Sequence, residues 1–233
     1  RLCRDWSSDV CSSDLGEFEN SEIGLIPKKW RVGKITSLGE VASGSTPSKA
    51  RKEFYSKNGI AWITPKDLSL TDNIFISKGA VDITNQGLRS GGLRLLPKGS
   101  ILMSSRAPIG YIAISKNEIT TNQGFKSVIP YQEFGSEFVY LFLKNNIDNI
   151  KSWATGSTFM EISGSSFKSI PALIPDKKAL KEFKAIVEPF FSKIEKLEEE
   201  INLLKKIRDS LLPKLMSGEI RVPLEEITYA EIY

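Results

Sequence analysis

From Leu180 to Leu211 apolar residues return at alternating steps of three and four: Leu180, Phe183, Val187, Phe190, Ile194, Leu197, Ile201, Leu204 and Leu211, with Arg208 as the one polar position in the series. No strand can use that period. It keeps one narrow apolar stripe in register with a second helix, which is the requirement of a coiled coil. The helix-pairing residues expected from it are Phe183, Val187, Phe190, Ile194, Leu197, Ile201, Leu204 and Leu211. Asp176, after Pro175, has the side chain and the place of an N-cap. Pro189 lies inside the run and is expected to kink it or split off a first short helix. Pro213 is expected to end it.

The chain before Pro175 has a different texture. Ile60–Ile63, Ile101–Met103, Tyr111–Ile114 and Ser127–Ile129 read as short strands. Gly91-Gly92 and Pro97-Lys98-Gly99 read as turns. Glu137 to Ile150 has helical spacing, with Phe138, Leu141, Phe142 and Ile147 on one face. The expected class is α+β, a mixed β-rich domain followed by a long C-terminal coiled-coil helix. The expected boundaries are 1–15, 16–27 (a lead segment), 28–175 (the β-rich domain), 176–212 (the helix) and 213–233 (a tail). Residues 1–15 are set aside, because Asp5 to Leu15 resembles the translated read-through of a widely used sequencing adapter.

Charge divides at the same place. Residues 28–168 hold 19 Lys/Arg against 10 Asp/Glu, whereas residues 169–233 hold 11 against 12. A basic domain on a neutral helix suits a polyanionic partner, although a basic surface that serves solubility alone has the same balance. Both cysteines, Cys3 and Cys11, fall in the leader, and the chain has no histidine. Cysteine zinc sites in the body, histidine general bases and Ser-His-Asp triads are therefore excluded. No apolar run is long enough to span a membrane as a helix, so the expectation is a cytoplasmic protein.

Three loops carry candidate contacts. Gly44-Ser45-Thr46-Pro47-Ser48, followed by Lys49, Arg51 and Lys52, offers hydroxyls and charge to phosphate oxygens; an ordinary turn would use the same Gly and Pro. Ser104 to Tyr111 places Arg106 between two strands, and Thr121-Asn122-Gln123-Gly124-Phe125-Lys126 follows. Arginine can pair with guanine and glutamine with adenine, and both can equally lock loops together. Ala154 to Phe159 is a third loop of this character. Pro175-Asp176, Glu182 and Lys184 superficially spell a metal-dependent nuclease pattern, but all sit at the opening of one helix, where a metal site cannot converge. No Asn/Asp-Pro-Pro-aromatic tetrapeptide and no GxxxxGK[ST] loop occurs.

Taken in order, Ile26-Pro27-x-x-Trp30, Gly44 to Ser48, Trp62-Ile63-Thr64-Pro65-Lys66-Asp67-Leu68, Ser105 to Gly110, Thr121 to Gly124, Ala154 to Thr158 and Arg208 to Ile220 resemble the specificity subunit of type I restriction–modification systems. The resemblance implies a non-catalytic target recognition domain with one helical spacer, half of a subunit that reads a bipartite DNA site. It implies double-stranded DNA, methyltransferase subunits and, through them, the restriction subunit as partners. No cofactor is implied for this chain, since S-adenosylmethionine and ATP chemistry would belong to those partners. The second recognition half would lie in the same longer chain or in a second copy; the adapter-like leader favours the former. DNA-contacting residues are expected among Thr46, Ser48, Lys49, Arg51, Lys66, Arg106, Gln123 and Lys126. Two other readings stay open: a stand-alone DNA-binding regulator that dimerises through its coiled coil, and an interaction module that uses the helical arm alone, with the basic charge incidental.

Overall fold

The computed structural model describes residues 17–106, 108–156 and 160–221. They form two compact units, one ending at Phe191 and the other beginning at Ser192. The first opens with a hairpin of β1 (Phe18–Ser21) and β2 (Gly24–Pro27), then β3 (Arg31–Lys34), β4 (Gly39–Ser43), β5 (Tyr55–Ser56) and β6 (Ile60–Ile63). Helix α1 (Pro65–Ser69), β7 (Phe75–Ile76), β8 (Val81–Ile83) and α2 (Asn85–Ser90) follow. The central strands are β9 (Ile101–Ser105), β10 (Ile109–Ser115), β11 (Ile119–Thr121) and β12 (Lys126–Pro130). Helices α3 (Gly135–Asn145), α4 (Ile147–Ser152) and α5 (Gly164–Ser169) and strand β13 (Pro171–Ile174) follow, then helix α6 (Lys177–Met216), whose residues up to Phe191 belong to this unit. The mixed α+β class and the long C-terminal helix match the expectation.

Two sheets carry the domain, one ordered β4-β12-β9-β10-β7 and one ordered β11-β6-β8-β5. Strand β9 shows why the first is central, since all five of its residues are buried. Successive side chains on a strand point to opposite faces. Ile101 and Met103 therefore enter one core with Val128, Val139, Leu143 and Phe167, while Leu102 enters a second with Ile63, Ile119 and Phe125. The first core lies between the five-stranded sheet and the helices, the second between the two sheets.

Three local expectations are corrected. Residues 137–150 form two helices, not one. Asn146 leaves the helical region (φ −101°, ψ 12°), and its side-chain amide joins its own backbone N–H in donating to the Phe142 carbonyl (2.8 and 3.1 Å). Of the two outcomes expected at Pro189 the split does not occur, since Lys177–Met216 is a single helix. Nor does Pro213 stop it: the helix continues to Met216 and closes on Gly218 at φ +75°, with Gly218 N–H donating to Leu215 O and Ile220 N–H to Lys214 O. A left-handed residue is the usual helix stop, and glycine takes that conformation without a Cβ penalty. Asp176 does cap, its Oδ1 accepting from Ala179 N–H at 2.8 Å.

The first turns of α6 complete the domain core. Leu180 and Phe191 are buried, Val187 packs beside them, and Phe183 meets Phe138 edge-on at 5.6 Å. Phe191 is edge-on to both Phe75 and Tyr140, whereas Phe190, the seam position, is 63% exposed. An α-helix turns every 3.6 residues, so a face that starts at Leu180 drifts off the 3.5-residue series and reaches Phe191. In the second unit Leu197, Ile201, Leu204 and Leu211 are exposed and Ile194 is half-buried. Among the described residues no helix is long and apolar enough to cross a membrane.

Candidate nucleic-acid interface

The ends of β4, β6, β9 and β11 bring the candidate loops together. β4 and β12 are antiparallel neighbours, and β6 and β11 are parallel neighbours with Ile63 opposite Thr121. The loop after β4 thus leaves beside the loop between β11 and β12. Ser45 N–H donates to Thr121 O (2.9 Å) and Asn122 N–H to Ile63 O (3.0 Å). Gly44 makes this approach possible: a Cβ there would stand 2.0 Å from Asn122 O and 2.4 Å from Thr121 O.

Groups that face inward hold the Gly44–Ser48 loop. Trp62 Nε1 donates to Ser45 O (3.1 Å), Tyr55 Oη to Pro47 O (2.8 Å) and Ser45 Oγ to Gly91 O (2.7 Å). Burial also raises the Tyr55 phenol pKa, which keeps it a donor. In the opposite loop Asn122 Oδ1 accepts from Gly124 N–H at 2.9 Å, a short Asx turn that displays Gln123. The Thr46 hydroxyl donates to Gln123 Oε1 across the gap.

The other expected contacts fall into three situations. Ser48, Lys49 and Lys66 are exposed, Lys66 in the first turn of α1, whose Thr64 cap is locked by Asp67 Oδ2. Arg51 is exposed but lies over the Phe54 ring at 5.4 Å. Arg106 and Lys126 are joined by Glu161, a residue that sequence reasoning did not single out. Arg106 Nη1 stands 3.6 Å from Glu161 Oε2, and Lys126 Nζ stands 3.9 Å from Oε1 and 3.4 Å from Ser105 Oγ. Lys126 is 6% exposed. Burial pushes its ammonium below the usual lysine pKa, Glu161 opposes that, and Arg106 adds to it. Lys126 therefore faces the domain, and its expected contact with DNA would require uncovering it.

The Arg106 loop is held in its turn by Ser104. Its Oγ donates to Pro108 O (2.8 Å) and accepts from Gly110 N–H (3.1 Å) and Tyr111 N–H (2.9 Å). Of the third loop, Thr155 and Glu161 exchange both backbone hydrogen bonds at 3.0 Å; Ser157, Thr158 and Phe159 lie outside the described residues, as does the adapter-like leader. The nuclease-like pattern is not assembled, since Asp176 caps α6 and Lys184 Nζ donates to Gln132 O (2.7 Å).

Residues 27–206 match the family described as the type I restriction modification DNA specificity domain. The chain is 42% identical over 193 residues to the MjaIX specificity subunit of a type I restriction enzyme from Methanocaldococcus jannaschii, covering 82% of this chain and 44% of that one. It is 31% identical over 198 residues to the HindI specificity subunit from Haemophilus influenzae, covering 84% and 42%. In fold it is similar to the HsdS subunit from Thermoanaerobacter tengcongensis (TM-score 0.55, 14% identity, 87% of this chain and 48% of that one). It is likewise similar to the S subunit of a type I restriction-modification system from M. genitalium (TM-score 0.58, 19% identity, 81% and 46%). The chain spans less than half the length of each of these relatives.

Proposed function

Since this chain belongs to the family of type I restriction modification DNA specificity domains, we propose that it is a sequence-recognition segment that binds one half of a bipartite duplex site and scaffolds methyltransferase subunits through its helix. The observation that carries the reading is the shared loop edge, where the Thr46 and Gln123 side chains meet beside the exposed Ser48, Lys49 and Lys66. Hydroxyls, an amide and cations on one edge are the groups that phosphate positioning and base-edge reading require.

In this reading residues 28–175 are the recognition domain and residues 176–212 the spacer. Lys49, Arg51 and Lys66 supply phosphate contacts; Thr46, Ser48, Arg106 and Gln123 face the bases or the backbone beside them. Ile194, Leu197, Ile201, Leu204 and Leu211 pair with a second helix, in a longer chain or a second copy. Methyl transfer and cleavage belong to partner subunits, the restriction subunit joining through the methyltransferase, and the chain itself supplies no catalytic group.

The test is duplex binding by the full chain over a salt series, with and without a type I methyltransferase subunit. Binding that weakens steeply with salt and sharpens in sequence when the subunit is added supports the reading. No binding at low salt overturns it. Duplex binding without capture of the subunit leaves a stand-alone regulator instead.

A further inference from the structure

Glu161 is a carboxylate on a domain that is otherwise strongly basic, and it stands beside a residue of the proposed contact edge. Its exposed ion pair with Arg106 contributes little to stability, since both side chains remain about two-fifths exposed. A negative charge there also repels phosphate.

Glu161 is nevertheless firmly placed. Its backbone exchanges two hydrogen bonds with Thr155, and the next residue, the fully buried Ile162, donates to Ser105 O at 3.0 Å. The buried Lys126 sits behind its Oε1 as a fixed counter-charge. The Arg106 guanidinium therefore has an anchored partner on one edge. A guanidinium has five N–H donors in a rigid fork, and one carboxylate contact occupies only part of it.

We infer that Glu161 is a positioning residue, holding the Arg106 guanidinium as an oriented fork for a pair of acceptors on duplex DNA. The inference rests on the DNA-binding reading above. Two acceptor pairs share this chemistry, the oxygens of a phosphate and the O6/N7 edge of guanine.

The experiment compares the wild-type chain with E161Q, R106A, R106K and the R106A/E161Q double variant. Each is put through selection from a randomised duplex library and salt-titrated binding, with thermal unfolding to check the fold. Electrostatics alone predicts tighter binding for E161Q, because a negative charge is removed. Positioning predicts the opposite sign: E161Q binds the selected duplex roughly tenfold more weakly, and the double variant is no weaker than R106A. R106K, which keeps the charge and loses the fork, falls with R106A. A base preference lost at one position identifies guanine as the acceptor. An unchanged preference with a salt slope smaller by about 0.9 identifies a phosphate.

Tighter binding of E161Q to all duplexes, or simple addition of the two single effects, overturns the inference. Should E161Q fail to fold, R106K decides, since wild-type affinity in that variant means that a bare charge suffices. A wild type that binds no duplex at low salt overturns the proposed function and this inference together. A wild type that binds, with R106K unaffected, overturns this inference alone.

Discussion

Thr46 and Gln123, 77 residues apart in the chain, are joined by a hydrogen bond from the threonine hydroxyl to the glutamine amide oxygen. It ties together two of the expected DNA-binding residues directly, side chain to side chain. Replacing Thr46 by Val removes the donor at nearly constant shape. Stability should fall by only about 0.5–1.5 kcal/mol, as for one hydrogen bond, while duplex affinity falls by more. Chemical denaturation and anisotropy titration on the same protein separate the two effects.

Gly44→Ala should be far more damaging than its size suggests. The new methyl would meet the Asn122 and Thr121 carbonyl oxygens, and overpacking against backbone typically costs about 1–3 kcal/mol. Gly92→Ala is the control: an added Cβ would meet nothing within 4 Å, and φ is +61°, so the loss is the left-handed penalty of about 1 kcal/mol. If urea midpoints show the two variants to be equal, the loops are not in the tight contact described.

Phe190 and Phe191 are adjacent and opposite in role. Phe191→Ala empties a site between Phe75 and Tyr140 and should destabilise the domain by about 3–5 kcal/mol. Phe190→Ala, at an exposed position, should change it by less than about 0.5 kcal/mol. Differential scanning calorimetry would read the contrast directly.

Placing Asp at both Leu197 and Ile201 should abolish helix pairing, because two charges would enter an apolar seam. The domain, which uses Leu180, Val187 and Phe191 of the same helix, should unfold at its usual temperature. Sedimentation of a sample that pairs as wild type checks this; unchanged assembly would remove those residues from the seam.

Alanine at Lys49, Arg51 and Lys52 should reduce the slope of log affinity against log salt by about 0.9 for each phosphate no longer neutralised. A slope unaltered within error would show that the cluster lies off the duplex.

Lys126 gives a pH signature. Burial lowers its folded-state pKa, so in the window below the free lysine value the unfolded chain binds more protons than the folded one. Stability attributable to this group therefore rises with pH as the free-lysine value of about 10.4 is approached. Lys126→Met should abolish that rise in denaturant midpoints, and a Lys126→Met profile parallel to wild type would contradict it.

The strands of the core were legible because β9, β10 and β12 are apolar and bounded by turn residues. The β1–β2 hairpin was not, since its acidic, largely exposed sequence has no pattern to betray it. The break at Asn146 has no apolar signature, because apolar spacing runs straight through it; the backbone turn there and the side-chain hydrogen bond to Phe142 mark the stop. Phe191 could have been found by projecting the helix at 3.6 rather than 3.5 residues per turn. Glu161 could not: its significance comes from Arg106 and Lys126, far away in sequence and brought close only by the ends of β9 and β12.

The bracing of the Gly44–Ser48 loop has a consequence for how such a surface can change. Trp62 and Tyr55 grip its backbone and the Ser45 hydroxyl ties it to Gly91 O, while the Ser48 and Lys49 side chains are exposed. The loop is a type bed with interchangeable sorts. Outward letters can be reset singly, without loosening the frame that keeps the line straight.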